Sequence, residues 1–356
     1  MPTVAMVRNR VAGLSASTEQ QGTPRIIVDA FGGDHGPGPV VEGCVAAARE
    51  GHAVILVGHE DVVRAELSKY PDATSLPIEV IDATEVIGMD DHAAQAVRAK
   101  RGASMNVAMR ALKDGRGDAV FSAGNSGAVM ASALFTLGRL DGVRRPAIAA
   151  VVPLLTGRVV IVDAGANADC DADNLIQFAY MGSMYVERMF GVARPRVGLI
   201  SNGEEPSKGN ALVLATHPRL AESTLNFVGN IEGRELAAGH CDVAVCDGFT
   251  GNVVLKLAEG VSKLCFDLVR TAIRSRFHYK LAGAVLRPGL VKAGKVLDYA
   301  EYGGAPLVGV QGNVFIGHGS SKARAISSGV RTASVAVRAN LIPSMQSAVV
   351  ASGVAR

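Results

Sequence analysis

Four stretches of this 356-residue chain place glycine and polar residues between an apolar run and an apolar helical segment. They are DAFGGDHGPGP (29–39), FSAGNSGAVMAS (121–132), VDAGANADCDAD (162–173) and VCDGFTGNVVLK (245–256). Glycine lets a backbone turn sharply and approach a ligand closely. In AGNSGA and DGFTGN the tract lies just before a helix, where free N–H groups and the positive dipole end suit a phosphate or a developing oxyanion. One such loop is as readily a plain turn; four in one chain point to an anionic ligand. Lys208, in NGEEPSKGN (202–210), adds a charge in a polar loop after a buried run. It suits a phosphate or a carbonyl oxygen, or it is a solvated loop lysine. Asp34 and His35 form either a general-base pair or a helix cap beside a solvent-facing imidazole. His318 carries the same ambiguity. Cys246 lies in an apolar run and reads as a buried strand cysteine rather than a nucleophile.

Several common chemistries lack their signatures. No GxxxxGK(S/T) phosphate loop occurs, and no GxGxxG opens the first helix with an acid about 20 residues on. There is no GxSxG elbow and no HExxH pair. The five cysteines form no CxxC, so neither a zinc site nor a disulfide framework is expected, which fits a reducing cytoplasm. A net charge of +3 with interspersed acids gives no reason to expect nucleic acid.

The elements that must carry these loops follow from the apolar pattern. Strands are predicted over 25–30, 53–58, 78–81, 119–122, 148–152, 159–163, 197–201, 226–229 and 243–246. Most are continuous apolar runs, as in strands buried on both faces. Helices are predicted over 39–50, 61–70, 93–112, 126–140, 174–190 and 210–222. The alternation gives an α/β fold with a mostly parallel sheet covered on both sides, whose ligands bind at strand carboxyl ends. Residues 1–24 read as a disordered tail without a signal-peptide core. The body is expected over 25–334 and a C-terminal helix or tail over 335–356. No run reaches the 18 apolar residues of a membrane span.

A further segment differs in character. Residues 270–295 carry seven Lys/Arg, among them Arg270, Arg274, Arg276 and Lys280, and no acid. Val261, Leu264, Cys265, Leu268, Val269 and Ile273 precede and enter it at helical spacing. A basic amphipathic arm, about 261–297, suits an anionic membrane surface or an acidic protein partner. A helix pair packed on the body or on a second subunit is the plainer alternative.

In order along the chain, VDAFGGDHGP, AVRAKRGASMNVA, SAGNSGAVMA, DAGANADCDADNLIQFAYMGS, NGEEPSKGN, GNIEGREL, VAVCDGFTGNVVLKLAEG and YGGAPLVGVQGNVFIGHGSSKARAI resemble the PlsX family, the phosphate acyltransferases of bacterial phospholipid synthesis. The match runs from about residue 25 to 326. The resemblance implies transfer of a long-chain fatty acyl group from an acyl carrier protein thioester to inorganic phosphate. The product, acyl phosphate, serves a downstream glycerol-3-phosphate acyltransferase. It implies a homodimer with a three-layer α/β/α fold related to isocitrate and isopropylmalate dehydrogenases and phosphotransacetylases. It also implies a cytoplasmic protein peripherally associated with membrane, and no cofactor or metal.

By the same resemblance Lys208 neutralises phosphate or the oxyanion, and Asn252, with Thr250 and the Gly251 backbone, hydrogen-bonds the reacting oxygens. Asn125, Ser126 and Gly127 bind phosphate or the pantetheine end, Asn167 lines the site, and Gly33 and Asp34 form and order the first loop. Arg270, Arg274, Arg276 and Lys280 meet membrane or carrier protein. Phe31, Ser126 and Asn202 depart from the common Met, Thr and Ile; Ser126 keeps the hydroxyl. Position 35 is not reliably histidine in the family, which weakens His35 as a base. The competing readings are a short-chain phosphotransacylase using acyl-CoA and a non-catalytic membrane scaffold.

Overall fold

The computed structural model describes residues 22–155, 157–296 and 302–354. Most of the predicted N-terminal tail and the last residue of the predicted arm lie outside these. All nine predicted strands form: β1 (Arg25–Asp29), β2 (Ala53–Gly58), β3 (Ile78–Asp82), β4 (Ala119–Ser122), β5 (Ala147–Leu154), β6 (Gly157–Val162), β7 (Arg196–Ile200), β8 (Asn226–Ile231) and β9 (Val243–Val245). Two more, β10 (Ala305–Val308) and β11 (Asn313–Ile316), were not predicted. Each has four residues amid glycines, too short for a period to stand out.

One sheet holds them in the order β3-β2-β1-β4-β11-β10-β5-β6-β9-β7-β8. The strands from β3 to β11 are mutually parallel, as are β6, β9, β7 and β8. Between these halves, β10 runs antiparallel to β11 and to β5, and β5 antiparallel to β6. Three reversals therefore set the two parallel halves in opposite directions.

Alternation along the strands fills two layers of core. Ile26 and Val28 of β1 join Val41 and Val45 of α1 (Pro37–Arg49) in one cluster, while Ile27 faces the other way. There it meets Met105 and Met109 of α4 (Ser104–Lys113) and Val129 of α5 (Ser126–Thr136), numbering α2 (Glu60–Leu67) and α3 (Ala93–Ala99) before them. The predicted helix over 93–112 is thus two helices, because the Lys100–Ala103 turn breaks it and Ala103 bridges to Glu85. In the other half, Val160 and Val162 pack with Phe178 and Met181 of α6 (Ala172–Phe190). Val159 and Ile161 face a separate cluster that includes Leu236.

Four further elements frame the site: α7 (Ala211–Ala221), α8 (Gly233–Ala238), α9 (Gly248–Arg274) and α10 (Phe277–Val296). Helix α9 has 27 residues, about 40 Å at 1.5 Å per residue. Helix α10 folds back on it, so that a Cβ on Gly283 would meet the Ile273 side chain. The chain closes with α11 (Ala323–Arg338) and α12 (Leu341–Ala351), which buries Leu341, Met345 and Val349.

Candidate active site

At the carboxyl edge of β6 and β9 a buried aspartate, not predicted as functional, organises two loops. Asp163 follows β6 and is fully buried. Its Oδ1 accepts N–H bonds from Ile148 (2.9 Å), Gly165 (3.1 Å) and Ala166 (3.0 Å). Its Oδ2 accepts from the Asn167 backbone (2.7 Å) and side-chain amide (2.8 Å). Such a collar of donors is what lets a carboxylate occupy the interior. Asn167 also donates to the Pro146 carbonyl (2.7 Å). Its amide hydrogens are therefore committed to building the turn, and the expected ligand-lining role has no donor left.

The β9–α9 turn locks into this one. Gly248 N–H donates to the Asn167 carbonyl (2.7 Å). A Cβ on Gly251 would lie 1.9 Å from the Asp163 carbonyl oxygen, so only glycine fits. Asp247 caps α9, accepting from the Thr250 N–H (2.8 Å) and hydroxyl (2.9 Å). The Thr250 hydroxyl proton is thus given to Asp247. Asn252 is different. It is exposed on the first turn of α9 and has no hydrogen-bond partner among the described residues. Its side chain lies over Gly165, whose φ of 136° is closed to most other residues: a Cβ there would stand 3.5 Å from the Asn252 Cγ.

Lys208 stands on the same edge, in the loop after β7, which pairs in parallel with β9. It is exposed and makes no ion pair among the described residues. The pairing therefore brings Lys208, Asn252, Thr250, Gly251 and Asn167 to one edge of the sheet.

The remaining predicted residues collect at the carboxyl ends of β1, β4 and β11. Asp29 organises them. Its Oδ1 accepts from the Ser104 hydroxyl (2.6 Å) and its Oδ2 from the Ser122 hydroxyl (2.8 Å). The Phe31 N–H donates to it as well (3.2 Å). Asp34 is exposed, and its N–H donates to the Gly319 carbonyl (2.8 Å). It does not cap α1, whose N-cap is Gly36 without a side-chain bond. A Cβ on Gly33 would lie 2.9 Å from that same Gly319 oxygen. Asn125 caps α5 through Ala128 N–H (3.1 Å) and donates to the carbonyls of Met89 (2.9 Å) and Asp91 (3.2 Å). Its amide is spent on the fold. Ser126 is exposed beside it, Gly127 is half-buried, and His35 is exposed.

Burial pushes the Asp29 carboxyl above its ordinary range, against the opposing pull of the Ser104 and Ser122 hydroxyls. The folded state then holds this proton more tightly than the unfolded state. Asp29 therefore favours folding at acid pH and loses that contribution as pH rises from the ordinary carboxylate value through its raised folded value. The stability difference between wild type and Asp29→Asn is expected to shift against the wild type as pH rises above the ordinary carboxylate value of about 4. Thermal unfolding at several pH values checks this; a difference independent of pH would contradict it.

The two sets sit at opposite carboxyl edges in strand direction. Burial pushes Cys170 up to about 11 and Cys246 well above its ordinary value, so neither is a thiolate at neutral pH.

The sequence profile described as "Fatty acid synthesis protein" matches residues 24–344. The chain is 46% identical over 323 residues to a phosphate acyltransferase of Heliobacterium modesticaldum, covering 90% of this chain and 96% of that one. Its fold is similar to a phosphotransacetylase from Streptococcus pyogenes (TM-score 0.60, 17% identity, 95% of this chain and 100% of that chain). It is also similar to a protein described as a 4-hydroxythreonine-4-phosphate dehydrogenase from Salmonella typhimurium (TM-score 0.53, 13% identity, 88% and 99%). These last two likenesses concern the fold alone.

Proposed function

The chain belongs to the fatty acid synthesis protein family, and from that premise we propose that it transfers a long-chain acyl group from acyl carrier protein to inorganic phosphate. The observation that carries this reading is the pairing of Lys208 and Asn252 on one sheet edge, each without a partner among the described residues. Phosphate is already a nucleophile, so the site needs to hold and orient it rather than activate a side chain. A phosphate oxygen attacks the thioester carbonyl carbon, and the carbonyl electron pair moves to oxygen. Asn252 donates to that oxyanion while the Lys208 ammonium offsets the phosphate charge. Collapse expels sulfur, which takes the proton that phosphate carried, leaving acyl phosphate and a free thiol. Protonated Cys170 and Cys246 fit a direct transfer without an acyl-cysteine intermediate.

To the loops at β1 and β4, with Gly33, Ser126 and Gly127, we assign the binding of the pantetheine end or a phosphate. Incubation of the protein with long-chain acyl carrier protein and radiolabelled phosphate should yield labelled acyl phosphate. No product overturns the proposal, and turnover of acetyl-CoA without turnover of the long-chain donor would favour a short-chain phosphotransacylase.

The arm supports a peripheral place at the membrane, where acyl phosphate is passed to a glycerol-3-phosphate acyltransferase. No described helix is long and apolar enough to cross a membrane. The α9–α10 hairpin nevertheless exposes Leu264, Leu268, Phe277, Leu281 and Val285, the last 81% accessible. Exposed apolar side chains gathered on one helix hairpin suit a contact with lipid, carrier protein or a second copy in a homodimer. Arg270, Arg274, Arg276 and Lys280 are all exposed beside it. Changing Arg274, Arg276 and Lys280 together to Glu should abolish pelleting with anionic liposomes; unchanged pelleting removes the lipid version.

A further inference from the structure

We propose that Asn230 is the positioning residue for Lys208, an inference that rests on the role given to Lys208 above. An exposed lysine on a loop has a flexible stem of four carbons, and its charge serves a reaction only where the loop holds its root in place. Asn230 lies on β8, opposite Leu199 of β7, and is 5% exposed. Its side-chain amide donates to the Glu205 carbonyl at 2.9 Å. The Lys208 backbone N–H donates to that same carbonyl, also at 2.9 Å. One oxygen thus closes the Glu205–Lys208 turn and ties it to the neighbouring strand. The stem is held as well, because a Cβ on Gly203 would stand 2.8 Å from the Lys208 Cγ.

A charged side-chain tie between these segments is weak. Arg234 reaches Glu204 at 3.4 Å, with side chains 75% and 56% exposed, and such surface pairs add little. Asn230 also carries a cost, since its Oδ1 is buried without a partner. An aliphatic side chain would avoid that cost, so the amide at this position is explained by the carbonyl it holds. The GNIEGREL stretch thereby gains a purpose as the support of the lysine loop.

Asn230→Asp keeps the shape and removes the donor; Asn230→Ala removes both and serves where the first variant fails to fold. Hydrogen exchange should show the Lys208 amide losing protection in either variant. The kcat/KM for phosphate should fall about tenfold, with the KM for the acyl donor unchanged, and no further loss should occur when Lys208→Ala is already present. Retained protection of the Lys208 amide, or losses that simply multiply with Lys208→Ala, would overturn the proposal. Normal turnover of Lys208→Ala alone would instead sink the role of Lys208, and exchange at its amide would still decide whether Asn230 holds the loop.

Discussion

Gly251→Ala is expected to reduce turnover at least about a hundredfold and to lower the stability of the fold by about 1–3 kcal/mol or more. The methyl group would stand 1.9 Å from the Asp163 carbonyl oxygen and 3.0 Å from the Cys246 Sγ. The first contact is with backbone, which cannot rotate away as a side chain would. Asp163 cannot easily retreat either, because five N–H donors hold its carboxylate. The start of α9 must therefore move, and Asn252 moves with it, being the next residue. A displacement of about 1 Å at a reacting group costs about a hundredfold in rate. Gly260→Ala is the matching control. It lies in the same helix with nothing within 4 Å of its added Cβ, so it should be neutral or stabilise by up to about 1 kcal/mol. Turnover and thermal unfolding measured on both variants separate the two cases. A Gly251→Ala protein with wild-type rate and melting temperature would show that the interlock of the two turns is not needed.

The strands were legible in the sequence because buried parallel strands read as unbroken apolar runs, as in IIVD of β1 and VVIV of β6. Lys208 stood out as a charge in a polar loop after a buried run, whereas Asn252 entered through the family resemblance alone. Strand direction was not legible. The two antiparallel pairings of β10 cancel and leave β5 running with β11, so the net reversal comes from the β5–β6 pairing, which two unbroken apolar runs do not reveal. Without it, four similar glycine turns read as one convergent site, whereas the pairings divide them between two carboxyl edges.

The organising carboxylates were hidden for a different reason. Asp29 ends β1, and Asp163 and Asp247 follow β6 and β9 within two residues, where an acid reads as the first polar residue of a loop. Only the folded chain shows that Asp163 gathers N–H groups from Ile148 and from residues 165–167. The same accounting shows what Asn125, Asn167 and Thr250 hold within the fold. All are polar residues in glycine loops, as ligand-binding residues are, but their donors are consumed by neighbouring carbonyls and carboxylates. What distinguishes Asn252 from Asn167 is a partner count, which no single sequence records.

Lys208→Ala and Asn252→Ala are each expected to lower turnover at least tenfold, about 1.4 kcal/mol of transition-state stabilisation. Removing one donor from an enclosed oxyanion site costs about a hundredfold to a thousandfold. Both residues are exposed in the free protein, so the lower bound is set below that range. The two losses should respond differently to salt. A bare ammonium acts through charge, which ions screen over about 10 Å at 0.1 M, so the deficit of Lys208→Ala should narrow as ionic strength rises. Asn252 acts through a directed hydrogen bond, and its deficit should stay constant. Lys208→Arg keeps the charge but replaces a compact ammonium with a planar fork, and should recover only part of the rate. These comparisons require steady-state rates with long-chain acyl carrier protein at two or more salt concentrations. Near-normal rates for either alanine variant would remove that residue from the chemistry. A salt-independent deficit for Lys208→Ala would mean that its contribution is packing on Gly203 rather than charge.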